Sequence, residues 1–299
     1  MKQPWLAGIL VFALAPLTAS AQEYAIKIGS PGLGDKSQVT STGNFDMEFK
    51  VLDNAGNAVV EKKETKALRF EFRETGLERA GAGDELVRIK RFYDRGERRI
   101  NGVRETLPYQ GKTLLIQKKD GRFTFLIDND AGGESLEGKE DDELNEEFNK
   151  GDFRKLLGDH FLPRKAVKVN ETWTFDVAPL AKDFGKDGKI EIDADKSKGA
   201  GKLVKAYQKN GKQFGIIELA LEFPVTTFVH DDKKSPAKDS KINIKVEWDG
   251  AIDGTLDQSR LKVNFDGDIR AEINVNGMDV TLVITVRAAA EELRAPVPK

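Results

Sequence analysis

Ile242-Asn243-Ile244-Lys245-Val246-Glu247-Trp248 places an apolar side chain at every second position and a polar one between. Successive side chains on a strand point to opposite faces, so such a segment is a strand with one dry and one wet face. Outward from it, Leu261, Val263 and Phe265 alternate with Lys262 and Asn264, and Ile269, Ala271, Ile273 and Val275 alternate with Arg270, Glu272 and Asn274. The same period runs through Phe45, Met47, Phe49 and Val51, then Leu68, Phe70 and Phe72. It returns in Phe123, Phe125 and Ile127, and in Trp173, Phe175 and Val177. Strands covered on both sides read as unbroken apolar runs, so this alternation predicts antiparallel sheets.

Turn chemistry agrees. Asp120-Gly121, Asn210-Gly211 and Asn276-Gly277 each separate two strand-like runs, and such pairs tolerate the positive φ of tight hairpins. Asp53–Asn57 and Asp94-Arg95-Gly96 read as looser turns of the same kind. The expected fold is mainly β and antiparallel, in strongly curved sheets or a partly closed barrel.

The alternation stops between Glu140 and His160, where helix formers dominate and Leu144 and Phe148 stand four apart. Asp152 is a suitable N-cap for a second turn carrying Phe153, Leu156 and Leu157, and Gly158 a suitable stop. One or two short helices over 136–160 therefore divide a first β-half, 22–135, from a second, 161–290. Ser30–Thr42, Ala178–Gly201 and Asp231–Ser240 read as loops, with a short strand inside Lys189–Ala194. Ala288–Lys299 starts helix-like, and 291–299 read as a flexible tail.

Ahead of the β-halves, Lys2, the apolar run Trp5–Leu17 and Ala19-Ser20-Ala21 read as a cleavable secretory signal peptide, 1–21. The apolar run is short of the roughly 20 residues needed to span a bilayer. With no cysteine, lipid attachment, disulfides, thiol catalysis and thiolate metal sites are excluded. After Lys2 is removed, 47 Lys and Arg stand against 50 Asp and Glu, with no basic run suited to nucleic acid. The expected product is exported, periplasmic or extracellular, with no integral membrane span after cleavage.

No motif names an activity. His160 and His230 lie in different halves and neither has a histidine or cysteine at i+3 or i+4, so they read as a boundary residue and a solvated one. There is no G-x-S-x-G elbow, Ser-x-x-Lys or P-loop. Gly29–Gly34 lacks the following lysine and helix that would cradle phosphate. Asp128 and Asp130, Asp193 and Asp195, and Asp266 and Asp268 are spaced to share a strand face, as calcium ligands or glycosidase carboxylates could. The first loop carries Lys139 where a calcium loop needs glutamate, and the last pair reads as flanking a hairpin turn. Trp173 and Trp248 fall on the apolar phase and read as core, while the phase of Tyr93 and Tyr109 is open. No catalytic, cofactor-binding or metal residue is assigned.

The segment Leu162-Pro-Arg-Lys-Ala-Val-Lys-Val-Asn-Glu-Thr-Trp-Thr-Phe175 resembles the P-x-x-x-V-x-V-G-E-x-W junction of poorly characterised secreted β-rich bacterial proteins. Here Asn170 replaces the glycine, and asparagine also accepts a left-handed backbone. The resemblance implies fold and compartment and carries no activity. The functional expectation is an exported, soluble, non-catalytic binding or structural protein. One form is a carrier whose cavity is lined by a curved sheet and the helix around Leu144–Leu157. The alternative is a carboxylate-dependent hydrolase of an extracellular polymer.

Overall fold

The computed structural model describes residues 22–79, 86–119, 122–128, 133–149, 157–185, 188–230, 233–275 and 277–297. The proposed signal peptide, Asp130 and the Asp152–Leu156 turn lie outside them.

The first half holds β1 (Glu23–Tyr24), β2 (Lys36–Leu52), β3 (Ala58–Arg79), β4 (Leu86–Ile100), β5 (Val103–Thr106), β6 (Thr113–Lys119), β7 (Arg122–Ile127) and β8 (Glu134–Ser135). Helix α1 (Lys139–Asn149) and a π turn (Leu157–Phe161) follow, then β9 (Val167–Lys168), β10 (Thr172–Thr174), α2 (Ala178–Phe184) and β11 (Ile190–Ile192). The long strands β12 (Lys198–Lys209), β13 (Lys212–His230), β14 (Lys233–Ala251), β15 (Ser259–Val275) and β16 (Met278–Pro296) complete the chain.

Fourteen of these strands form one antiparallel sheet in the order β10-β12-β13-β14-β15-β16-β2-β3-β4-β6-β7-β8, with β11 beside β13 and β5 beside β4. The mainly antiparallel β reading holds. Among the described residues the end strands β10 and β8 do not pair with each other, so the sheet is open and no barrel closes. The two sequence halves meet where β16 pairs with β2 along nearly its whole length, from Thr281↔Leu52 to Pro296↔Ser37.

Several local expectations are corrected. The presumed tail is strand β16 through Pro296, although Ala288-Ala-Ala-Glu-Glu-Leu-Arg294 is rich in helix formers. Pairing on both sides, with β15 and β2, outweighs the few tenths of a kcal/mol per residue by which propensity favours helix. Ser30–Thr42 is already strand from Lys36, and Asp231–Ser240 from Lys233, with a bulge where Asp239 takes φ 49°. Ala178–Gly201 contains α2, whose start is capped by Asp176 Oδ1 accepting from the Ala178 amide at 2.9 Å. Its Ile190–Ile192 is the short strand expected there.

Asp94-Arg95-Gly96 is no turn: Tyr93 pairs with Phe72 and Arg95 with Glu71, leaving Asp94 as the extra residue of a bulge. The tight turn of that region is Asn101-Gly102, at φ 48° and 84°. Asn210-Gly211 adopts φ 51° and 75°, as a two-residue hairpin requires. Gly158 lies within the π turn rather than ending an α-helix.

Register fixes which side chains share a face. Trp248, Leu261, Glu292, Ser41, Phe70 and Gly96 are successive cross-strand partners, as are Val246, Val263, Ala290, Gly43, Leu68 and Arg98. This inner face carries both large cores. One gathers Leu203, Ile217, Phe223, Val246 and Trp248 under α2 and the π turn. The other gathers Phe72, Tyr93, Leu114, Ile116 and Phe125 under α1, whose Leu144 is buried and whose Phe148 ring lies 5.2 Å from Phe123. A third, smaller cluster, around Ala271, Ile273 and Leu282, sits near the β15–β16 turn.

Candidate functional site

Between the two helix-covered ends, no helix among the described residues packs on the inner face of β16 and β2, whose side chains are mostly half-buried. Pairs along it run Glu292–Ser41, Ala290–Gly43, Ala288–Phe45, Val286–Met47 and Ile284–Phe49. Small side chains dominate one stretch, and a Cβ on Gly43 would find no atom nearer than 3.9 Å. Phe45, Met47, Val286 and the neighbouring Leu68 are half-buried and belong to none of the three core clusters. They form an apolar trough along the strands. From Ser41 to Phe49 it runs about 27 Å at the usual rise per residue.

A buried ion cluster closes one end. Glu74 on β3 accepts from Arg91 Nη2 at 2.9 Å and from Arg294 of β16. The three side chains are only 8 to 13% exposed. Arg91 also stacks 3.9 Å above Phe72, 4.9 Å from Phe148, and donates to the Tyr93 hydroxyl at 3.0 Å. Burial pushes the Glu74 carboxyl upward, but the Arg294 and Arg91 charges outweigh it and hold it at about 2. The cluster ties the last strand to the first β-half.

The outer face is a lattice of exposed and half-buried ion pairs, including Lys63 with Glu48 and Glu61, Arg69 with Glu71, and Arg95 with Glu97. Two of the paired acids belong to it. Asp266 and Asp268 do share a face, but they lie inside β15 and not at a hairpin turn. Both grip Arg287 of β16, at 3.1 and 3.0 Å. Asp193 caps a turn through the Lys196 amide at 3.1 Å, and its carboxyl is lowered by Lys196. Asp128 pairs with Lys90 at 2.7 Å. These carboxylates neutralise cations or hold turns, which is not the arrangement of a catalytic pair.

His160 is exposed in the π turn, and His230 is exposed at the end of β13. His230 edges an open polar groove of about 720 Å³ between hairpin tips, with Asp53, Lys233, Arg270 and Glu272. Among the described residues no cluster of three or more histidine, aspartate or glutamate side chains could hold a metal ion. Trp248 is buried core; Trp173 is half-buried, its Nε1 donating to the Phe161 carbonyl at 2.7 Å. Tyr93 and Tyr109 are core, with ring centroids 4.7 Å apart.

The junction resolves into a local device. Asn170 takes φ 70°, the left-handed backbone foreseen for it, and Glu171 Oε2 accepts from the Lys168 amide at 2.7 Å. Trp173 then lies across Gly201, where an added Cβ would come within 2.3 Å of the indole. Gly199 gives the same room to Phe175.

Sequence reading missed the ion cluster and the trough. Glu74, Arg91 and Arg294 are scattered through 220 residues and look like ordinary surface charges. The trough had a weak signal in Phe45 and Met47, but nothing in the alternation says which strands a helix covers.

No protein-family model matches the chain, and no curated protein matches it. Among solved structures, Pseudomonas aeruginosa OpdQ aligns over 88% of this chain and 98% of its own, at 7% identity and TM-score 0.19. An outer membrane channel from Pseudomonas putida F1 aligns over 88% and 97%, at 8% identity and TM-score 0.15. Neither likeness reaches a shared fold. Among the described residues no helix is long and apolar enough to cross a membrane, a statement that does not extend to strands.

Proposed function

We propose that this chain is an exported, non-catalytic binding protein that holds an apolar ligand in the trough on the inner face of its sheet. The observation that carries the reading is the strip Phe45, Met47, Leu68 and Val286. Half-buried apolar side chains lie there in a row, outside every core and between two helix-covered ends. An apolar strip that lies outside the cores and stays partly open to water is a common mark of a binding surface. The strip follows the strand direction of β2 and β16, so its length suits an extended hydrocarbon chain.

Export rests on the reading of residues 1–21, and the resemblance of the Leu162–Phe175 junction to secreted β-rich proteins points the same way. The engaged carboxylates on the outer face give no support to the hydrolase alternative. Native mass spectrometry of the protein purified from the envelope of its own cells tests the proposal. A co-purifying apolar molecule is expected. A clean apo mass, together with failure to take up a fluorescent fatty acid, overturns it.

A further inference from the structure

The β2–β3 hairpin projects beyond its neighbour. Pairing of β3 with β4 begins only at Lys66↔Ile100, so the outer edge of β3 before that point meets no strand among the described residues. Ala58–Thr65 is exposed throughout, including Val59 at 58% and Val60 at 41%. Thr65 is closed off: its carbonyl accepts from the Asn101 amide at 2.9 Å, and its amide donates to Asn101 Oδ1 at 2.9 Å. Backbone groups on a strand edge alternate in direction, so Glu61 and Lys63 point their N–H and C=O outward as Thr65 does. Those groups form a ready template for another strand.

Charge decides which strand fits. In an antiparallel pairing of this edge with its own copy, centred on Lys62, Glu61 stands opposite the partner's Lys63 and Lys63 opposite the partner's Glu61. The two outward pairs give four main-chain hydrogen bonds. On that face Lys63 already pairs with Glu48 and Glu61 at 2.9 and 3.2 Å, so the contact extends an existing ion-pair ladder. On the other face Lys62 meets its symmetry mate, with the partner's Glu64 on the diagonal. We propose that this edge is a two-fold interface through which two copies join their sheets. The two Lys62 charges and the short paired length make the dimer weak and reversible, and its ion pairs make it salt-sensitive.

Sedimentation velocity of the full chain over a wide concentration range, at low and high salt, tests this. A concentration-dependent dimer that weakens with salt is expected. Lys63→Pro removes an outward N–H that the chain itself does not use, while Lys63→Ala keeps that N–H and loses only the charge. The proline variant is expected to abolish dimerisation, and the alanine variant to weaken it by about threefold to tenfold, within the range of cross-strand pairs. Circular dichroism and thermal melts matching the parent chain establish that both variants fold. A parent chain that stays monomeric at every concentration overturns the proposal, as does a folded proline variant that dimerises like the parent.

Discussion

The helix-covered ends and the half-buried middle of the inner face share one alternation of residues and meet different fates. Under α2 and the π turn, Leu203, Ile217 and Phe223 are fully buried, and under α1 Phe125 falls to 1% exposure. Phe45 and Met47 stand in the same phase of the same sheet, yet each keeps part of its surface in water. A strand pattern thus sets which face is apolar, and the helices decide where that face becomes core. What the helices leave uncovered is available for binding.

Substitutions at the covered ends should have the largest effects. Phe223→Ala and Phe125→Ala should each lower unfolding free energy by about 3–5 kcal/mol, measured by urea denaturation, because each opens a cavity under a helix. Glu74→Ala should cost a similar amount, about 3–5 kcal/mol, since it leaves Arg91 and Arg294 buried with their shared carboxylate gone. Gly201→Ala should follow at about 1–3 kcal/mol, because its Cβ overlaps the Trp173 indole. In the middle, Phe45→Ser should cost about 1–2 kcal/mol, less than the core substitutions, because part of its ring stays in water in the folded chain. A large loss there would mean the middle is core, and the contrast would fail.

Acid should act through the ion cluster. The folded carboxyl of Glu74 titrates at about 2, below its ordinary 4.5. Its contribution is therefore complete above pH 4.5 and is lost as pH falls from there towards 2. Thermal midpoints of the parent chain should drop across that window, and those of Glu74→Gln should drop less. Tyr207, raised to about 12 by burial and by its hydrogen bond to Asp249, should show no phenolate absorbance near pH 10. This smallest of the effects is read by ultraviolet titration.

Much of the fold was legible because alternation is a local signal. Ile242–Trp248 is β14 with Trp248 inward, and Asn210-Gly211 is the hairpin its residues demand. The errors came where distant partners decide. Ala288–Arg294 looks helical until β15 and β2 are placed on either side of it. Asp94-Arg95-Gly96 looks like a turn until Phe72 and Glu71 show that the strand continues through a bulge. Asp266-Gly267-Asp268 looks like a hairpin until Arg287 explains both acids. The trough was the least legible feature, because its boundary is drawn by α1 and α2, far from β2 in sequence.

Gly43→Leu tests whether the strip on β2 and β16 holds an apolar ligand. A side chain there enters open space above the trough floor, with no atom within 3.9 Å of its Cβ, so the fold should stand. Titration of a fluorescent fatty acid should give saturable binding to the parent chain, and binding to the unaltered-stability Gly43→Leu variant at least about tenfold weaker, a difference of roughly 1.4 kcal/mol. Equal binding by the two proteins would rule out this strip as the ligand site.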